Sequence, residues 1–363
     1  MRVGLIDIDG RNYPNLPLMK LSAWHKAQGD LVEWYMPFGD RYDRVYMSKV
    51  FSFTPDFLDC INADEVIKGG TGYAITLENG REVYHADMDK PLPSEVEHIY
   101  PDYSLYPNYC TNTAYGFLTR GCPRGCEFCH VAPKEGRHSY KVADLSEFWN
   151  GQKTIVLNDP NILACREWAD LLGQLKDSKA SIDFNQGLDI RLMTEEKALA
   201  IKQLKVKEIH FAWDRYEDKD IILPKLQLYA DIVEFRPHAH KAIVYTLVNH
   251  TSTIEQDLER IYTLRNMGYW PYVMVYNKKM RLEFTRIWSA GSTTAMCSLN
   301  ASALKTIKNK HYELQSYKDT DKREQRPQAA LRRANTSRQV RRYGVLLHAR
   351  AGGRVPALIS NNT

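Results

Sequence analysis

Residues 117–130 read Phe117-Leu118-Thr119-Arg120-Gly121-Cys122-Pro123-Arg124-Gly125-Cys126-Glu127-Phe128-Cys129-His130. Three of the seven cysteines, Cys122, Cys126 and Cys129, sit here at spacings of four and three, and no fourth follows at a matching interval. Iron–sulfur cubes normally take four cysteines. Three thiolates on one loop hold three corners and leave one iron open to a small molecule. Zinc is the competing reading, but it wants a closed tetrahedron of four N or S ligands. His130 directly follows Cys129 and is poorly spaced to be the fourth.

Cys-x3-Cys-x2-Cys with an aromatic residue, Phe128, before the last cysteine resembles the signature of the radical S-adenosylmethionine (AdoMet) superfamily. The resemblance implies that Cys122, Cys126 and Cys129 ligate a [4Fe-4S] cluster and that AdoMet chelates the open iron. It also implies that reductive cleavage of AdoMet yields a 5'-deoxyadenosyl radical, which abstracts hydrogen from a substrate. The backbone of Phe128 is then expected near the adenine, and a flavodoxin or ferredoxin is the implied electron donor.

A chain of 363 residues suggests two domains with an appendage. No apolar run approaches the ~20 residues of a membrane span, and the opening Met1-Arg2-Val3-Gly4-Leu5-Ile6-Asp7 turns acidic too soon for a secretory signal. An odd number of cysteines, three of them clustered, does not form a disulfide framework, so a reducing cytoplasm is expected. Charge is uneven. Residues 281–363 carry 16 Lys+Arg against 5 Asp+Glu, a net +11, whereas residues 1–280 carry 33 against 39, a net −6.

Ahead of the cysteines, Val3–Asp9, Leu31–Tyr35, Arg44–Phe51 and Glu65–Lys68 read as strands, and Leu16 to Ala27 as a helix. This alternation predicts a doubly wound, Rossmann-like α/β domain over residues 1–95, with ligands beyond the carboxyl ends of its strands. Placed here, it looks like the module of cobalamin-binding radical AdoMet enzymes. Their motif is Asp-x-His-x-x-Gly, and Asp7-Ile8-Asp9-Gly10-Arg11-Asn12 lacks the histidine, so cobalamin is not expected. His25 belongs to the helix rather than to a metal. Gly69–Gly72 reads as a tight turn, and residues 96–112 as a Tyr- and Pro-rich linker packing aromatics between domains, with Cys110 buried in it.

Residues 113–280 alternate strands at 114–119, 154–157, 181–184, 208–213, 242–248 and 272–276 with helices at 161–175, 194–204, 224–235 and 253–267. Six strands fit the (β/α)6 partial barrel of the superfamily. Functional residues of such barrels gather at the carboxyl ends of strands. Asp159, with Asn158 and Asn161, stands where family members contact the AdoMet amino group. Asn185, Gln186, Asp189 and Arg191 follow the third strand; Asp214 and Arg215 follow the fourth, suited to ribose hydroxyls and to the AdoMet carboxylate. Asn249, His250, Tyr276 and Asn277 end the last two, and Lys134, Arg137 and His138 form a basic patch behind the cysteines.

Residues 281–363 combine low hydrophobicity with high charge, a composition that favours disorder. Such an arm can touch nucleic-acid phosphates, but it lacks interleaved aromatics for stacking on bases. The alternative to an enzyme is a non-catalytic iron–sulfur electron carrier or redox sensor using the same loop.

Overall fold

The computed structural model describes residues 1–79, 81–237 and 241–276. The basic tail, Asn277 and the end of the expected barrel at 278–280 lie outside the described residues. Among the described residues, no helix is long and apolar enough to cross a membrane.

The chain opens with β1 (Arg2–Asp7), α1 (Leu16–Ala27), β2 (Leu31–Trp34), β3 (Tyr42–Ser48) and β4 (Ala63–Gly69). These strands form a parallel sheet of order β2-β1-β3-β4. Helix α1 starts where the Asn15 side chain accepts from Leu18 N (3.3 Å) and Pro17 supplies a fixed φ in the first turn. It buries Leu18, Met19 and Leu21 against Val3, Leu5 and Tyr46. His25 is enclosed, with Nδ1 2.6 Å from Asp30 and Nε2 3.0 Å from the Tyr46 hydroxyl, so both ring nitrogens serve the fold.

One expectation is corrected here. Helices do not follow β2 and β3; residues 35–41 and 49–62 connect the strands as loops broken by Pro37, Gly39 and Pro55. The sheet is therefore not doubly wound. Its second face is covered by aromatic packing of Tyr35, Tyr42 and Phe57 over Ile6, Val45 and Met47.

The hairpin β5 (Ile75–Glu78) and β6 (Arg81–Tyr84) comes next, then the short helices α2 (Ser94–Glu97) and α3 (Pro107–Cys110). As the composition suggests, the Tyr-rich linker packs inward. Tyr106 donates to Asp7 Oδ2 (2.8 Å), Tyr103 donates to Phe148 O (2.6 Å), and Cys110 is buried in the same apolar cluster as Leu18, Tyr115 and Val156. The first sheet and the linker thus belong to one compact unit, residues 1–246 with 255–273.

The second sheet begins with β7 (Thr113–Gly116). The small ladder β8 (Thr119–Arg120) and β9 (Tyr140–Lys141) brackets α4 (Val131–Glu135), and β10 (Thr154–Leu157), α5 (Trp168–Ser178), β11 (Ser181–Leu188) and α6 (Glu195–Lys202) follow. Then come β12 (Lys205–Ala212), α7 (Lys219–Val233), β13 (Ala242–Val248), α8 (Ile254–Asn266) and β14 (Trp270–Val275). The sheet order is β14-β13-β12-β11-β10-β7, with every pair from β7 to β13 parallel. Strands follow one another without reversal, so right-handed crossovers put the helices on one face. There Ile155, Leu157, Ile182, Phe184, Ile209, Phe211 and Val244 pack against Leu171, Leu175, Ile201, Ile222, Leu226 and Leu264. On the opposite face, alternation along β11 and β12 presents Asp183, Asn185, Glu208 and His210.

A second unit holds residues 247–254 and, among the described residues, 274–276. Within it Tyr276 N donates to Val248 O (3.1 Å), and His250 and Tyr276 meet edge to face at 4.4 Å.

Burial raises the Asp7 carboxyl to about 6, the Tyr106 hydroxyl opposing the shift. Because the folded value exceeds the unfolded one, Asp7 stabilises the fold most below about pH 4 and loses that contribution as pH rises through about 6. Asp7→Asn keeps an acceptor for Tyr106 and removes the buried charge. We expect it to raise stability at pH 7.5 by on the order of 2 kcal/mol and to flatten the change between pH 4 and 6. Urea unfolding of the cluster-free protein checks this, and a variant less stable than wild type at pH 7.5 contradicts it.

Candidate functional site

Strand β7 delivers the chain to Leu118, and the cysteine loop is then closed at its base. Gly121 adopts φ +77°, and a Cβ there would lie 2.1 Å from His138 O, so no other residue fits without moving the backbone. Gly121 N and the Arg120 guanidinium both donate to the Glu135 carboxylate at 2.9 Å. Cys122 N donates to Gly136 O (3.2 Å), and Cys129 N to Cys126 O (3.0 Å).

Asp159 holds this base. Its carboxylate accepts from Leu118 N (3.1 Å), Thr119 N and the Thr119 hydroxyl (2.7 Å), and the residue is 3% exposed. Burial raises its carboxyl to about 6 against the pull of those donors. The sequence placed Asp159 toward a ligand; the structure turns its carboxylate to the loop backbone.

All three cysteines of the loop are free thiols and half-buried. Burial raises the Cys126 thiol, with further contributions from Cys129 and Asp214, and burial likewise raises Cys129, with Cys122, Glu135 and Asp214 adding to it. The three sulfurs and Asp214 therefore lie within electrostatic reach of one another. Among the described residues, no three His, Cys, Asp or Glu side chains converge on a single ion position. A cubane cluster has no such requirement, since each thiolate binds its own iron.

Asn161 adds a second mark of a ligand site. Its Nδ2 lies 3.6 Å from Cys122 Sγ, while Oδ1 is enclosed with no hydrogen-bond partner and the residue is 1% exposed. An orphaned buried acceptor costs about 1–3 kcal/mol, a cost that a donor on a bound molecule removes. Soft donors on one clamped loop, beside an acceptor with no partner, fit an iron–sulfur cluster carrying a small chelating ligand.

The other candidates divide. Phe128 is half-buried within the loop, and Asp214 faces Cys126 and Cys129. Arg215 is 60% exposed at its side chain and lies 3.7 Å from Glu217. Arg191 lies within electrostatic reach of Cys126 and pairs with Asp189 (2.7 Å) and Asp218 (2.8 Å). Asp189 also accepts from Arg124, tying the loop to the end of β11. Asn185 donates to Asn158 Oδ1 (3.1 Å) and to the Tyr13 hydroxyl (3.3 Å).

Of the basic patch, Arg137 and His138 are exposed and Lys134 is paired. Lys134 donates to the Thr71 hydroxyl and lies 3.7 Å from Asp89, and the Arg137 guanidinium packs against Gly125. His130 contacts Glu82 at 3.2 Å. Gly70 and Gly72 press against the Lys49–Phe51 backbone, which makes their run a tight turn as read. Cys110 is a core thiol that burial pushes up to about 12.

Reading only strand ends missed the polar face of β11 to β13, where Asp183, Glu208, His210 and Tyr245 stand. The signal was present in Ser181-Ile182-Asp183-Phe184-Asn185 and Glu208-Ile209-His210-Phe211, whose strict alternation differs from the continuous apolar run of a parallel strand buried on both faces.

Compared with known proteins, the chain matches no family model and no curated protein.

Asp159→Ala strands two backbone N–H groups and a hydroxyl in a buried setting. A loss of on the order of 3 kcal/mol is expected in urea unfolding, with faster amide exchange at Leu118 and Thr119 than at β12. Unchanged exchange at those two amides would show that the loop is held by other contacts.

Proposed function

We propose that this protein is a radical AdoMet enzyme, in which Cys122, Cys126 and Cys129 hold a [4Fe-4S] cluster and AdoMet occupies its open iron. The observation that carries the reading is the set of three free, mutually close thiols on a clamped loop, with the orphaned Asn161 acceptor beside Cys122. When bound, the cluster supplies reductive cleavage of AdoMet and, through it, hydrogen abstraction from a substrate.

The chain's own groups have assignable parts. Asn161 Oδ1 accepts from the AdoMet amino group, Arg191 pairs with its carboxylate, and Asp214 takes the ribose hydroxyls, with the Phe128 backbone beside the adenine. The unreversed six-strand order with helices on one face supports a (β/α)6 partial barrel around this site. A reducing compartment and a small electron carrier of the flavodoxin or ferredoxin class complete the proposal. Cobalamin has no part in it, since Asp7 to Asn12 offers no imidazole.

Anaerobic reconstitution is expected to yield iron and sulfide in equal amounts, and reduction in the presence of AdoMet to yield 5'-deoxyadenosine. Cys126→Ala is expected to abolish both. A reduced cluster that gives no deoxyadenosine and no AdoMet-induced change in its electron paramagnetic resonance spectrum would instead establish an electron carrier or sensor.

Asn161→Leu removes the acceptor at little change in volume. We expect it to weaken AdoMet binding to the reconstituted protein about tenfold or more, the worth of one charge-assisted hydrogen bond, as read by calorimetry. Undiminished affinity would remove Asn161 from the site.

A further inference from the structure

The polar face of the second sheet carries charge that the fold compensates only in part. Asp183 and Glu208 stand opposite each other in register on neighbouring strands. Like charges directly opposite destabilise a sheet, and such an arrangement persists where a ligand offsets it. Burial raises the Asp183 carboxyl, and Glu208 raises it further.

The compensation present is partial. Lys207 approaches Asp183 Oδ2 at 3.4 Å from a side chain that is 54% exposed. His210 places Nε2 3.0 Å from Glu208 and Nδ1 2.9 Å from Phe184 O, and its field also reaches Asp183. Asp183 Oδ1 is enclosed and has no hydrogen-bond partner.

Aromatic rings share this face. Tyr13 and Tyr115 meet edge to face at 5.4 Å, both within electrostatic reach of Asp183. Across the face, His210 stacks on Tyr245 at 4.9 Å, and Tyr272 meets Tyr245 edge to face at 5.6 Å. The Tyr13 hydroxyl, from the loop after β1, donates to Asn158 Oδ1 (2.9 Å) and so adds an element of the first sheet to this wall. A carboxylate with one oxygen lacking a donor, near tyrosine rings, favours a cation and opposes an anion.

We propose that this face binds a ligand bearing a protonated nitrogen, an amine or a guanidinium, which donates to Asp183 Oδ1 between the tyrosine rings. The inference names the substrate class of the reading above and rests on it for the chemistry that follows, whereas the binding itself does not require the cluster.

The test uses the full-length chain, both reconstituted and as the cluster-free Cys126→Ala variant, with agmatine as cationic probe and valerate and valeramide as anionic and neutral controls. Saturation-transfer NMR is expected to show agmatine bound and valerate and valeramide at least tenfold weaker. Asp183→Asn should weaken agmatine at least tenfold while keeping the thermal midpoint, because it also removes a like-charge pair. Lys207→Ala, which removes a competing cation, should tighten agmatine several-fold and provides the check should Asp183→Asn fail to fold.

Equal binding of either control, undiminished agmatine affinity in Asp183→Asn, or weaker binding in Lys207→Ala overturns the proposal. Failure to form deoxyadenosine with agmatine binding intact sinks only the radical reading. Deoxyadenosine formed without agmatine binding sinks only this inference.

Discussion

A carboxylate buried at the end of β10 governs the cysteine loop. Leu118 and Thr119 leave β7 with two N–H groups and a hydroxyl that neither sheet pairs, and Asp159 accepts from all three. Without that acceptor the chain has no reason to turn at Gly121, where only glycine tolerates the backbone of His138. Downstream, Glu135 and Gly136 close the base, and Asp189 ties Arg124 to the neighbouring strand. Loop geometry thus derives from rigid strand ends together with the short helix that closes the loop.

Charge is distributed by the same logic. Asp159 and Asp189, at the strand ends, are committed to donors of the loop, and Arg191 sits between Asp189 and Asp218 within reach of Cys126. Further down the strands, Asp183 lacks such a commitment at one oxygen. The contrast separates groups that build the site from groups that wait on something else.

The cysteine spacing, the six strands of the second sheet and the inward-packing linker were legible in the sequence, because each rests on local pattern. Strands at 154–157 and 242–248 matched to the residue, being apolar runs with polar limits. Strands β11 and β12 ran longer than read, since Asn185 to Leu188 and Lys205 to Lys207 carry polar residues whose extended form is imposed by pairing. Helix α7 begins at Lys219, five residues before the start read from Pro224, because proline is tolerated inside a helix whose apolar face is buried. Two of the three strand connections in the first sheet are loops, so the alternation read from its one helix did not continue. Asp159 and Arg215 were assigned by position in chain, whereas side-chain direction, set by tertiary contacts, decides what each touches.

The linker between the sheets is itself interior. Tyr106 reaches Asp7 of the first sheet, Tyr103 reaches Tyr115 of the second, and Cys110, Tyr115 and Val156 share one cluster with Leu18 and Met19. A module boundary drawn through residues 96–112 would therefore cut through hydrophobic contact instead of solvent. Neither half is interchangeable in the manner of beads on a string: a graft of the amino-terminal sheet onto another barrel would have to bring its tyrosines along, and the two halves are bound to change together.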